Sequence, residues 1–196
     1  IFVADPTLKD LVTMGGISNH LDVHVTGHPF CSEEVMERMP QTHREKMRGQ
    51  PVNWPRANKV VFSSRWDKEK DPMFFLAAAH LVLSKGYAAQ FVICTSAAKL
   101  RSNNPQYLQE LYDMKARWPN NITIRQGLTK EEYYRELCDA KVQFNCADQD
   151  WLPLTLLEAS VAGCWPLYPY FRSFPDGLRR DRDFLYEKGD AVHAAE

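Results

Sequence analysis

The chain has 196 residues, 44% of them hydrophobic and 25% charged, which suits one α/β domain able to bury a core without disulfides or metals. Its 24 basic and 25 acidic side chains leave a formal charge of -1, which removes the electrostatic argument for a nucleic-acid partner, as the composition does for disorder. No apolar run approaches the roughly 18 residues of a membrane span, and the apolar start at Ile1 is cut short by Asp5, too soon for a signal peptide. Cys31, Cys94, Cys138, Cys146 and Cys164 form no CxxC pair and sit mostly in apolar runs, as expected of buried free thiols in the reducing cytoplasm rather than zinc ligands. A start at Ile1 rather than Met is expected of a piece of a longer protein. Asn121-Ile122-Thr123 fits the glycosylation sequon, a pattern short enough to recur by chance.

In chain order, Ile1–Ala4 reads as a short strand and a helical stretch begins near Pro6. Val23–Gly27 reads as a second strand closed by Gly27-His28-Pro29. Ser32–Arg48 reads as one charged helix with Ser32 at its cap. Gln50–Pro55 is a linker by composition, dividing residues 1–50, a closing segment, from a main domain over residues 51–196. There strands and helices alternate: Lys59–Ser64, then a helix over Pro72–Lys85 stopped by Gly86; Gln90–Thr95, then Tyr107–Trp118 stopped by Pro119. Asn121–Arg125 follows, and Thr129 opens a helix to Asp139 with a capping box to Glu132. Val142–Cys146, a helix over Leu154–Ala162 stopped by Gly163, and a short strand at Cys164–Tyr168 complete the pattern. Alternation of this kind predicts right-handed crossovers, a Rossmann-like parallel sheet and helices on both faces. Ligands of such sheets lie beyond the carboxyl ends of the strands, where helix N-termini point.

Three of the loops at that edge carry suitable groups. Arg65 and Lys70, after the first strand of the main domain, can complement phosphate oxygens, although a solvated charged loop would read the same. Gly127, after the third, allows close backbone approach or merely a turn. After the fourth, Asp150 precedes a helix N-terminus, a usual place for a capping carboxylate. Glu158 interrupts an otherwise apolar helix, which is costly unless it meets a partner or ligand, or faces solvent.

The spacing of Asp150 and Glu158, with seven residues between them and Ala159, Gly163 and Pro166 following, resembles the acidic-x7-Glu signature of glycosyltransferase family 4, the two-domain GT-B enzymes. That signature runs roughly Glu-Gly-Phe-Gly-Leu-Pro-x-x-Glu-Ala-x-x-x-Gly-x-Pro. Arg65 and Lys70 resemble the family's Gly-Arg-x-x-x-x-Lys-Gly segment, and Gly127 falls where the family has a glycine. The similarity covers about Asn58–Asp190.

The resemblance implies the C-terminal, donor-binding half of a retaining hexosyltransferase, acting without a metal or other cofactor on a UDP-, GDP- or ADP-sugar. By resemblance, Arg65 and Lys70 hold the diphosphate, Asp150 the transferred sugar and Glu158 the ribose. Backbone groups around Leu152, Leu154 and Thr155 face the phosphates, and Arg125, Gln126 and Gly127 lie beside the base. The acceptor belongs to an N-terminal domain that this sequence lacks. Four departures bear on the sugar contacts: Asp150 for Glu, Trp151 and Pro153 for two glycines, and Asp71 for the glycine after the lysine. Two alternatives stand beside this reading. One is another GT-B enzyme such as a nucleotide-sugar epimerase, which needs a histidine near the sugar. His80 lies in a helix and His20, His24 and His28 near the N-terminus, with His28 before Pro29 a candidate for an interdomain cleft. The other is a degenerate interaction domain, supported by Trp151-Leu152-Pro153. No GxGxxG follows a strand, which disfavours a dehydrogenase.

Overall fold

The computed structural model describes residues 2–3, 6–15, 22–27, 29–49, 55–148, 150 and 153–196. Residues 50–54 of the expected linker, His20, His28, Trp151 and Leu152 lie outside the described residues. Near the N-terminus β1 (Phe2–Val3) pairs in parallel with β2 (His24–Val25), with α1 (Pro6–Met14) between them. The helices α2 (Ser32–Arg38) and α3 (Gln41–Gly49) follow.

The main sheet is built from β3 (Ala57–Phe62), α4 (Pro72–Ser84), β4 (Gln90–Cys94), α5 (Pro105–Arg117), β5 (Ile122–Arg125), α6 (Lys130–Asp139), β6 (Ala140–Phe144), α7 (Leu154–Val161), β7 (Trp165–Pro169), α8 (Phe174–Gly177) and β8 (Leu185–Tyr186). Its six strands are all parallel, in the order β5-β4-β3-β6-β7-β8. Chain direction across the sheet reverses between β3 and β6, and such a switch point opens a crevice at the carboxyl ends of the strands. Neighbouring residues of a strand point to opposite faces. Thus Phe62, Phe91 and Ile93 pack under α4 and α5, against Phe75, Leu83, Leu111 and Met114. Val61, Val92 and Cys94 pack on the other face against Tyr134, Leu137 and Cys138 of α6 and Ala159 of α7. Val35 and Met39 bring α2 into that second layer.

The expected helix over Ser32–Arg48 is two helices. Pro40 disfavours a helical residue before it, and Met39 is extended, with φ -75° and ψ 155°. Its cap is Cys31, without a side-chain hydrogen bond, rather than Ser32. The helix expected at Tyr107 starts at Pro105, because the Asn104 side chain accepts from the Gln106 N–H and proline suits the first turn. The fourth main strand ends at Phe144 rather than Cys146, and the fifth runs Trp165–Pro169. The capping box of α6 is present as expected, with Thr129 and Glu132 bonded reciprocally. Elements α8 and β8 have no counterpart in the sequence reading.

At the end of the sheet remote from the crevice, the Arg56 guanidinium donates to the carbonyls of Leu137, Ala140 and Ala162, at 3.2, 3.0 and 2.7 Å. Buried His43 of α3 meets the Ala162 carbonyl through Nε2 at 3.0 Å. Burial pushes the His43 imidazole below its ordinary value, the bond to Ala162 opposing it. With the folded value depressed, the unfolded chain binds a proton here before the native state does, so stability falls as pH drops below the ordinary value of 6.5. Urea unfolding between pH about 7 and about 5 is expected to show that loss, and His43→Gln to flatten it.

Candidate functional site

A cleft of about 260 Å³ opens at the carboxyl ends of β3, β4 and β5, beside the switch point. Ser63, Ser64, Thr95 and Ser96 line it with hydroxyls, the start of α6 supplies Thr129 and Lys130, and the first and second turns of α7 supply Thr155 and Glu158. Two helix N-termini therefore bear on one cavity, and their partial positive charge favours an anion. The α6 terminus is closed by its capping box, whereas α7 has Pro153 at its cap position and no side-chain cap.

The centre of the site is Glu158, 4% exposed. Its Oε1 accepts from Lys130 Nζ at 2.6 Å and from the Tyr134 hydroxyl at 3.0 Å. Neither contact uses Oε2. Lys130 also lies over the rings of Tyr133 and Tyr134, at 5.6 and 5.5 Å. Burial first, then the charge of Glu158, pushes both tyrosine hydroxyls up, so each stays a neutral donor. The Tyr133 hydroxyl donates to Ser63 Oγ at 3.1 Å, tying the floor of the cleft to β3. Cys94 also lines the cleft, but burial pushes its thiol up to about 12, which makes it a poor nucleophile at neutral pH. Among the described residues no group of three or more His, Cys, Asp or Glu is placed to hold a metal ion, and no helix is long and apolar enough to cross a membrane.

Comparison with known proteins bears on this arrangement. No family model matches the sequence. A glycosyltransferase from Rickettsia africae superposes with a TM-score of 0.71 at 12% identity, over 99% of this chain and 50% of its own. The structure of TarM does so at 0.70 and 14%, over 99% and 34%. The UDP-forming α,α-trehalose-phosphate synthase of Burkholderia xenovorans gives 0.67 at 15%, over 89% and 43%. The fold is that of the GT-B glycosyltransferases. The Drosophila melanogaster protein named tRNA-queuosine alpha-mannosyltransferase is 20% identical over 133 residues, 68% of this chain and 33% of that protein. The chain thus spans half or less of the length of each of these four relatives.

Within this GT-B domain, the structure brings Arg65, Thr155 and Glu158 into the cleft wall. Glu158 faces inward, which removes the exposed-face alternative. Thr155 Oγ1 lies 3.3 Å from the Tyr168 hydroxyl. The Arg65 side chain is 69% exposed, 3.6 Å from Asp67 and paired with Glu69. Lys70 and Asp150 do not line the cleft; they form a pair of their own, 2.7 Å apart. Asp150 is therefore not the cap of α7, because a cation from the β3 loop claims its carboxylate and Pro153 holds the cap position. Arg125 also stays out of the cleft wall, its Nε held by Glu136 at 3.2 Å. Gly127 is needed for its conformation, φ 67°, since the nearest atom to an added Cβ is 4.0 Å away. Leu154 opens α7 with 46% exposure and does not touch the cleft, while Leu152 lies outside the described residues.

The sequence reading missed Lys130 and Tyr134. Their signal was present: four residues apart on one helix, they share a face. The expected consequence is unequal costs for the two Glu158 contacts. Tyr134→Phe removes a hydrogen bond from a buried carboxylate and should cost about 1–3 kcal/mol in urea unfolding. Lys130→Met, at a side chain 53% exposed, should cost less than about 1 kcal/mol.

Proposed function

We propose that this domain is the donor half of a retaining family 4 hexosyltransferase, binding a nucleoside-diphosphate sugar in the cleft described above. The acceptor is then held by a second domain outside this sequence, with residues 1–50 on the side of that domain. The observation that carries the reading is Glu158, a buried carboxylate at the mouth of an open cleft whose two side-chain contacts both use Oε1. Oε2 then accepts from the hydroxyls of a ribose, and the surrounding serines and threonines suit a polyhydroxylated ligand.

In this reading the diphosphate lies against the uncapped α7 terminus, with Arg65 turning from Asp67 and Glu69 towards it. Lys70 stabilises the leaving group and Asp150 orients the sugar, so the chemistry is electrostatic support of a departing diphosphate, with no metal required. The base lies towards the turn at Gly127. The name of the fruit-fly relative supports mannose as the hexose and a modified tRNA nucleoside as the acceptor. With a formal charge of -1 here, phosphates of an RNA acceptor fall to the other domain. The four buried free cysteines support a cytoplasmic location.

Calorimetric titration of the whole protein with UDP, GDP, ADP and their glucose and mannose conjugates tests the proposal. Saturable binding to one base is expected, with Glu158→Ala weakening it by at least about tenfold, roughly 1.4 kcal/mol. Absence of binding, or binding indifferent to Glu158→Ala, would sink it. Binding without turnover would favour a degenerate domain instead, for which the mutual neutralisation of Lys70 and Asp150 is the supporting observation.

A further inference from the structure

Lys188 belongs to none of the motifs, yet it stands between the two loops that carry Lys70 and Asp150. Following β8, its Nζ donates to Asp148 Oδ1 at 2.7 Å and to the Cys146 carbonyl at 3.0 Å, and lies 3.8 Å from Asp71 Oδ2. Asp71 is the residue after Lys70, and Asp148 lies two before Asp150. Each half of the Lys70–Asp150 pair therefore has a near neighbour in contact with the same ammonium.

Besides the Lys70–Asp150 pair, the two loops are also joined through main-chain atoms. The Asp148 N–H donates to the Glu69 carbonyl at 2.9 Å, and the Cys146 thiol to the carbonyls of Lys70 and Asp71 at 3.3 and 3.1 Å. Arg172 Nε donates to the Asp148 carbonyl at 2.8 Å. None of these neutralises the carboxylates of Asp71 and Asp148, which repel one another across the gap that Lys188 fills. Asp71 is also left-handed, with φ 46° and ψ 54°, a conformation costing a non-glycine residue about 1–2 kcal/mol. Its carboxylate caps α4 through the Phe74 N–H, so the backbone is held where the side chain serves both the helix and Lys188.

We propose that Lys188 is a positioning residue of the transfer site, tying Asp71 to Asp148 so that Asp150 is held against Lys70. Its importance for transfer rests on the function proposed above; its hold on the loop does not.

The test uses the whole protein and three variants: Lys188→Met, Lys188→Arg, and Lys188→Met combined with Asp148→Asn. Amide hydrogen exchange at Asp148 and Asp150 should quicken at least about tenfold in Lys188→Met and recover in Lys188→Arg. The kcat for transfer should fall roughly tenfold to a hundredfold with donor KM changed less than about twofold, again recovering with Arg. Adding Asp148→Asn to Lys188→Met should recover part of the loss, because it removes the repulsion between Asp71 and Asp148 that Lys188 no longer offsets. Unaltered exchange in Lys188→Met overturns the proposal. So does a lowered thermal midpoint with kcat intact, which would make Lys188 a purely structural residue. A wild-type protein that turns over no nucleotide sugar would instead defeat the transferase reading, while the exchange result would still decide the role of Lys188.

Discussion

Three main-chain carbonyls at the C-terminal ends of α6 and α7 converge on one guanidinium, that of Arg56. Cations belong at helix C-termini, where the unsatisfied carbonyls carry partial negative charge. Clamping both helices at that end fixes their axes, and so brings their opposite ends to the same cavity. Lys130 and Tyr134 on α6 and Glu158 on α7 meet at 2.6 and 3.0 Å because these helices lie side by side across the second face of the sheet. The cleft is in this sense set from the far end of the sheet, and His43 adds a further partner to the Ala162 carbonyl there.

Around the cleft, charge is compensated locally before any ligand arrives. Glu158 has Lys130, Asp150 has Lys70, Arg65 has Asp67 and Glu69, and Asp148 has Lys188. A buried carboxylate without a partner would be costly, and exposed cations without partners would bring diffuse attraction for any anion. These pairs differ in burial, and that difference matters. The 69% exposed side chain of Arg65 can leave its carboxylates with little loss, since surface pairs are worth about 0–1 kcal/mol. Lys70 and Asp150, 13% and 23% exposed, are held more firmly and hold each other in place.

Much of this fold was legible because hydrophobic runs of strand length alternate with longer amphipathic stretches, and a parallel sheet follows from that order. The capping box at Thr129 and the stops at Gly86 and Gly163 were local signals with local causes. What failed was local chemistry read too simply. Pro40 broke a helix whose charged periodicity ran on past it, and Asn104 started another two residues early. Beyond Tyr168 the chain carries Arg172, Arg179 and Arg180 at positive φ and a β8 of only two residues, too short for periodicity to register. At the site, Glu158 could be singled out as an acid in an apolar helix, whereas its partner Lys130 was passed over, since a lysine in a helix first turn looks like solvated surface until its spacing from Tyr134 is weighed. Asp150 was assigned a cap because its neighbours along the chain suggested one; the cation that claims it arrives from eighty positions away.

The departures from the family pattern are more informative than the matches. Where the pattern has glycine after the lysine, this chain has Asp71, and the backbone keeps the left-handed conformation that glycine adopts freely. Aspartate is among the few residues tolerated there, because its short side chain bonds locally, here to the Phe74 N–H. The substitution thus preserves the path of the chain while adding a carboxylate, and the added charge is met by Lys188 from a part of the sequence that no motif covers. Pro153 follows similar logic. It donates no N–H and offers no side-chain cap, and the Leu156 N–H of the first turn of α7 turns back to the proline carbonyl at 3.0 Å. Both departures keep the path of the chain and change only the charges and hydrogen-bonding groups beside it.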